Sequence, residues 1–175
     1  AYRALDELRR AKVVKAIGVG VNESAMCARF ATASASGAVL LAGRYSLLEQ
    51  PALADFLPLA AKKGIGVMLG GVFNSGILAT GPIKGAKYNY RPAPPDIVDR
   101  VRRIERVCAS HDVALPVAAM HFALGHPAVS SLVIGSVSPS EVTRNVAALT
   151  TRVPAALWMD LKRELLLDAS APMPA

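Results

Sequence analysis

Residues 115–149, LPVAAMHFALGHPAVSSLVIGSVSPSEVTRNVAAL, read as helix, strand and helix in turn. Pro116 suits a first helical turn, and Val117, Met120 and Leu124 then share one side of the helix it opens. SLVI at 131–134 is an apolar run of strand length, ended by Gly135-Ser136. Ser138-Pro139 starts a further helix, with a hydroxyl cap and a proline behind it, and Val142, Val146 and Leu149 spaced along its length. A strand entered from one helix and left through another is built for parallel pairing, because parallel neighbours need a crossover.

The alternation continues outward. Before it lie a helix with Tyr2, Leu5 and Leu8 at helical spacing, and a strand within 13–21 that contains AIGVGV. Asn22-Glu23-Ser24 offers cap chemistry for a helix through Met26, Phe30 and Ala33. AVLLA at 38–42 is the next strand, 51–63 the next helix with Gly64 as its C-cap, and IGVML at 65–69 the strand after that. GVFNSGILATGPIKGAKYNYRPAPP, 71–95, is dense in Gly, Pro, Asn and Ser and reads as irregular loop. A long amphipathic helix is expected over 96–111, and a closing one from Pro154 that carries Leu157, Trp158, Leu161 and Leu165. The leading helix has no strand before it, so the pattern reads as the remainder of a longer one.

Composition narrows the class. At 53% hydrophobic and 19% charged, the 175 residues suit one folded domain. A whole (β/α)₈ barrel takes about 250 residues. No run approaches the roughly 20 apolar residues of a membrane span; 113–124 is broken by Pro116 and His121, and AYRALDELRR is no leader peptide. Cys27 and Cys108 lie far apart, without a CxxC partner or a histidine at ligand spacing, and read as buried thiols of a cytoplasmic protein. The net charge of +7 is read as solvated arginines, interleaved with Asp96, Asp99 and Glu105 around 100–106. With 5% aromatics there is no base-stacking platform, so no nucleic-acid partner is expected.

Parallel order also suits an open doubly wound sheet. Its glycine fingerprint is not met: Gly18-Val19-Gly20 has no third glycine in place and no acidic residue some 20 positions on. The blocks AYRALDELR, VVKAIGVGVNE, LLAGRYSLLEQ, GIGVMLGGVFNSGILATGP, KYNYRPAP, the opening stretch and VPAALWMDLKRELLL, taken in this order, resemble the aldo-keto reductases, in particular the aldose and L-fucose dehydrogenase branch. The resemblance implies an α/β fold of TIM type, a (β/α)₈ barrel represented by its last four β/α units, with 1–168 as the C-terminal half of one domain and 169–175 as a flexible tail.

Barrel enzymes place ligands at the C-terminal ends of their strands, often with phosphate held after the last two. Gly135, Ser136, Val137 and Ser138 have that chemistry: an approachable backbone, hydroxyl donors, and a helix start with free N–H groups. The resemblance adds Glu141 and Asn145 toward an adenine, Val72, Phe73, Asn74, Ser75 and Gly76 over a pyrophosphate, and Asn22 at the nicotinamide carboxamide or, equally, as a helix cap. The implied cofactor is NAD or NADP, with a lean to NAD because Val137 stands where NADP-preferring relatives carry a cation. Ala42 replaces a frequent glutamine, and Gly70 a frequent aromatic. The family's catalytic Asp, Tyr, Lys and His fall on the first four strands, so no catalytic residue is assigned here; His111, His121 and His126 are read as structural, and Tyr45, Tyr88 and Tyr90 show no tuning partner.

The implied activity is oxidoreduction of a sugar or small aldehyde, with this chain as the cofactor half. Two other readings stand beside it. One is a non-catalytic half barrel that binds nucleotide, forms a homodimer or pairs with an N-terminal half, since four parallel strands leave two open edges. The other is an unrelated phosphate-binding barrel.

Overall fold

The computed structural model describes residues 1–174. Its main sheet has four parallel strands in the order β1 (Gly18–Val21), β2 (Ala38–Ala42), β3 (Gly66–Gly70) and β6 (Val129–Val133). Helices make the crossovers: α2 (Ser24–Ala33) between β1 and β2, α3 (Phe56–Lys63) between β2 and β3, and α5 (Pro95–Ser110) with α6 (Leu115–Leu124) before β6. The helix α1 (Tyr2–Arg10) precedes the sheet, and α7 (Pro139–Thr150) and α8 (Ala155–Arg163) follow it. The fold is thus α/β, built on an open four-stranded parallel sheet.

Burial along the central strands alternates with the pleat. Val39, Leu41, Val67 and Leu69 are fully buried, whereas Leu40 and Met68 on the opposite face are only partly covered. The helices seal one face of the sheet and leave the other half open. Helix α6 is apolar all round and buried along most of its length, as a helix enclosed by neighbours must be. Phe122 on α6 stacks on Tyr45 at 5.0 Å and meets the Trp158 ring of α8 at 6.3 Å.

Four helices stop by one device. Lys12, Gly64, Asp112 and Leu165 have φ of +60°, +66°, +56° and +56°. In each case the next residue's N–H returns to a carbonyl five positions back: Val13 to Leu8, Ile65 to Ala60, Val113 to Cys108 and Leu166 to Leu161. Only Gly64 announces this in sequence, and the turns at Lys12 and Leu165 account for two differences from expectation. The strand expected over 13–21 starts at Gly18, because the turn at Lys12 leaves Val13 68% exposed. Leu165 does not continue the α8 stripe: it is 80% exposed and swings Leu166 into the core.

Elsewhere the elements keep to their expected places with small shifts. The helix expected over 51–63 opens as a 3₁₀ turn, Pro51–Leu53, before α3. The α2 cap position is Glu23, without a side-chain bond, so Asn22 is not the cap. The segment expected to be irregular holds a 3₁₀ turn at Asn74–Gly76, the short helix α4 (Ile77–Thr80) and an antiparallel hairpin of β4 (Lys87–Tyr88) and β5 (Arg91–Pro92). The tail expected from 169 is anchored: Ala171 is 2% exposed, and Lys162 Nζ donates to the Ala169 and Ala171 carbonyls at 2.9 and 2.6 Å. Residue 175 lies outside the described residues.

Two substitutions and one titration test this packing. Leu165→Gly removes left-handed strain from a side chain that buries little, and raises the urea unfolding free energy by about 1 kcal/mol. Tyr45→Phe deletes a buried hydroxyl that has no hydrogen-bond partner; it is neutral or stabilising, by up to about 1 kcal/mol, despite the position's burial. His126 is buried, accepts the Ala128 N–H on Nδ1 at 3.1 Å, and has its pKa lowered by burial. The unfolded chain therefore binds the proton more tightly, and the melting temperature falls as pH drops below about 6.5, the unfolded value. His126→Asn, whose Oδ1 can accept the same N–H, flattens that slope.

Candidate functional site

Parallel pairing puts the C-terminal ends of all four strands on one side. The loops gathered there are 22–23 after β1, 43–50 after β2, 71–94 after β3 and 134–138 after β6. Gly43 N donates to Gly70 O at 2.9 Å, and a Cβ on Gly71, at φ +67°, would lie 3.2 Å from Gly43 N. Glycine at 71 thus keeps the second and third strand ends close.

Loop 72–76 is set by burial and by its turn. Val72 is buried and Phe73 partly so, and Asn74, Ser75 and Gly76 follow with φ of +46°, +59° and +99°. Three left-handed residues in succession need support, and they have it. Asn74 Nδ2 donates to Glu49 Oε2 at 2.7 Å, and Ser75 Oγ accepts the Tyr90 N–H at 3.0 Å.

At the far edge Ser138 is the N-cap of α7, its hydroxyl accepting the Glu141 N–H at 3.3 Å. Glu141 folds back, and its Oε2 accepts the Val137 N–H at 2.9 Å. The pair closes a near-reciprocal capping box. Asn145 Nδ2 donates to Ser136 Oγ at 3.2 Å and ties the helix to the strand exit. Two of the N–H groups expected to be free for an anion are therefore engaged by the protein's own side chains.

A cavity of about 660 Å³ opens between these segments, within the range of small-ligand sites. Of the residues expected at a cofactor site it unites Phe73, Gly135, Glu141 and Asn145, together with Thr80, Arg144 and Thr151. Ser136 and Asn145 also line an adjoining, more apolar recess of about 580 Å³. Val72, Asn74, Ser75, Gly76, Val137 and Ser138 border neither space; Val72 and Asn74 are buried on either side of Phe73 in sequence, and Val137, at 94% exposure, faces solvent. Asn22 sits on the opposite sheet edge, three strand steps away, roughly 14 Å; its carbonyl accepts Arg44 Nε at 2.9 Å. Arg144 was missed by sequence reasoning, yet the signal was there: Glu141, Arg144 and Asn145 stand at i, i+3 and i+4 on one helix face.

No acid–base pair for carbonyl chemistry emerges among the described residues. His111 Nε2 pairs with Asp160 Oδ2 at 2.9 Å, His121 Nε2 bonds the Ala148 carbonyl at 3.0 Å, and His126 is held as above. Tyr90 is 90% exposed. Tyr88 does have a partner that sequence reasoning did not find: its hydroxyl donates to Glu49 Oε1 at 2.6 Å. Burial and that carboxylate push the phenol up to about 12, away from the range of a useful proton donor. Burial likewise raises the thiols of Cys27 and Cys108, to about 11 and about 12, so neither is a nucleophile.

Comparison with known proteins fixes the family and the fold. The Aldo/keto reductase family model matches residues 1–163. Pyridoxal 4-dehydrogenase of Microbacterium luteolum is 42% identical over 167 residues, 95% of this chain and 49% of that protein. D-threo-aldose 1-dehydrogenase of a Pseudomonas species is 39% identical over 168 residues, 95% of this chain and 51% of that protein. Among solved structures, the holo form of an aldo-keto reductase from Bacillus halodurans superposes with a TM-score of 0.74 over 97% of this chain and 56% of that one, at 22% identity, a likeness of fold. The chain thus spans about half the length of the relatives it matches, and it belongs to the aldo/keto reductase family.

Proposed function

We propose that this chain is the cofactor-holding part of an NAD(P)-dependent oxidoreductase that acts on a sugar or small aldehyde, and that the family's catalytic tetrad lies on barrel units other than these four. The observation that carries this reading is the cavity in which Gly135, Glu141 and Asn145 from the last strand exit meet Phe73 from the preceding one. The lining suits a dinucleotide. Asn145 offers an amide, Ser136 a hydroxyl, and Phe73 an aromatic surface. A bound nicotinamide ring would supply or take the hydride. The chain's own part is to bind and orient, and to exclude water with the apolar cavity wall of Ala114, Pro116 and Val117.

NAD is favoured over NADP. The Glu141 carboxylate holds the Val137 N–H at the helix start and opposes a second phosphate there, while a ribose diol could donate to it. Arg144, on the same face, balances that charge and leaves no surplus cation. The two fully buried free thiols suit a reducing compartment, and we place the protein in the cytoplasm. Among the described residues no single helix is long and apolar enough to cross a membrane. No nucleic-acid or membrane partner is assigned.

A second reading rests on the uncovered apolar surface. Val142, Val146 and Leu149 of α7 are 51%, 59% and 44% exposed and line the 580 Å³ recess with Leu124. On that reading the chain is a half barrel that pairs with a second copy or with an N-terminal half.

Calorimetry of the purified chain with NAD and NADP tests the first reading, and its mass in solution the second. NAD binds more tightly than NADP. Asn145→Ala weakens NAD by about tenfold, the loss of one hydrogen bond. Glu141→Arg shifts the NADP-to-NAD affinity ratio upward by about tenfold or more, as expected when a carboxylate gives way to a phosphate-binding fork. A well-folded chain that binds neither dinucleotide would remove the reading.

A further inference from the structure

Glu49 lies on the loop after β2, outside the cavity, and both of its carboxylate oxygens are taken by side chains from elsewhere. Oε1 accepts the Tyr88 hydroxyl of the hairpin at 2.6 Å, and Oε2 accepts Asn74 Nδ2 of loop 72–76 at 2.7 Å. No lysine or arginine pairs with it among the described residues, so its negative charge is satisfied by neutral donors. Such charge-assisted bonds are about twice as strong as neutral ones.

The anchor itself is rigid. Ser46 is fully buried; its N–H donates to the Glu49 carbonyl at 2.7 Å, and its Oγ accepts the N–H groups of Leu48 and Glu49 at 3.2 and 3.1 Å. A second tie, Tyr90 N–H to Ser75 Oγ, joins the hairpin directly to loop 72–76. The donors differ in what they need. Asn74 is buried in a left-handed conformation at φ +46° and keeps an unpartnered Oδ1, so its one bond to Glu49 is what fixes the side chain. Tyr88 keeps its proton over the whole neutral range, its pKa being raised by burial and by Glu49, and so donates throughout.

We propose that Glu49 is a positioning residue that locks loop 72–76 and the hairpin 87–92 into one cover at the strand ends, and so sets how long a bound dinucleotide stays. The part about residence rests on the cofactor reading above; the lock itself does not.

The test uses the full chain with Glu49→Ala, Glu49→Gln and Tyr88→Phe, read by amide hydrogen exchange and by the NAD dissociation rate. Glu49→Ala speeds exchange in both 72–76 and 87–92 by about tenfold, the loss of roughly one charge-assisted bond per segment. Amides of β2 and β3 keep their rates, and NAD leaves several-fold faster with its association rate unchanged. Glu49→Gln falls between the parent and the alanine variant, because the amide oxygen still accepts from Tyr88 and a turned Asn74 offers its spare Oδ1 to the new NH₂, but neither bond is charge-assisted any longer. Tyr88→Phe loosens 87–92 more than 72–76. Exchange that is unchanged in the two segments, that rises equally through the sheet, or that is the same in the Gln and Ala variants overturns the lock. Faster exchange with an unchanged NAD dissociation rate overturns its role in residence. If the parent chain binds no NAD, the cofactor reading and the residence role fall together, while the exchange data still decide the lock.

Discussion

Parallel hydrogen bonding between neighbouring strands obliges the chain to return across the outside of the sheet after every strand, and the rest of the molecule follows from that obligation. The returns become α2, α3 and the α5–α6 pair, which bury Val39, Leu41, Val67 and Leu69 on one face. All strand exits then open at one end, where loops from distant parts of the sequence become neighbours. The opposite face, with Leu40 and Met68 half covered, has no helix of its own to seal it. In a closed barrel that face points inward, toward strands across the axis.

Much of this order was legible because period and punctuation agreed. AVLLA at 38–42 is the strand that was expected, to the residue, and Gly64 closes its helix in the left-handed conformation expected of a glycine there. Where the reading slipped, a local rule was overridden by a bond that sequence does not display. Lys12, Asp112 and Leu165 take the same left-handed turn as Gly64 without being glycine, since a satisfied carbonyl offsets the strain in each, and after Asp112 and Leu165 the next residue, Val113 or Leu166, is also delivered to the core. The hairpin at 87–92 was hidden by its length: strands of two residues leave no alternation to read.

The site was legible in part for a related reason. Ser138, Glu141 and Asn145 are near one another in sequence, and their placement on the first turns of α7 follows from capping alone. What Glu141 does there was not legible. Its fold-back onto Val137 depends on the loop geometry before the helix, and it turns a position expected to reach a ligand into one that also guards the helix start. Asn74 and Tyr88 stand 25 and 39 positions from the Glu49 carboxylate they share, and no spacing rule joins them. Only the adjacency of the second and third strand exits brings them together.

We propose that a dinucleotide lies against the exits of the last two strands. Amide hydrogen exchange of the purified chain with and without saturating NAD tests it most directly. Addition of NAD slows exchange in two separate stretches at once, 72–76 and 135–145, with little change along α2 and α5. Protection confined to other segments, or none in a chain that remains folded, would contradict it.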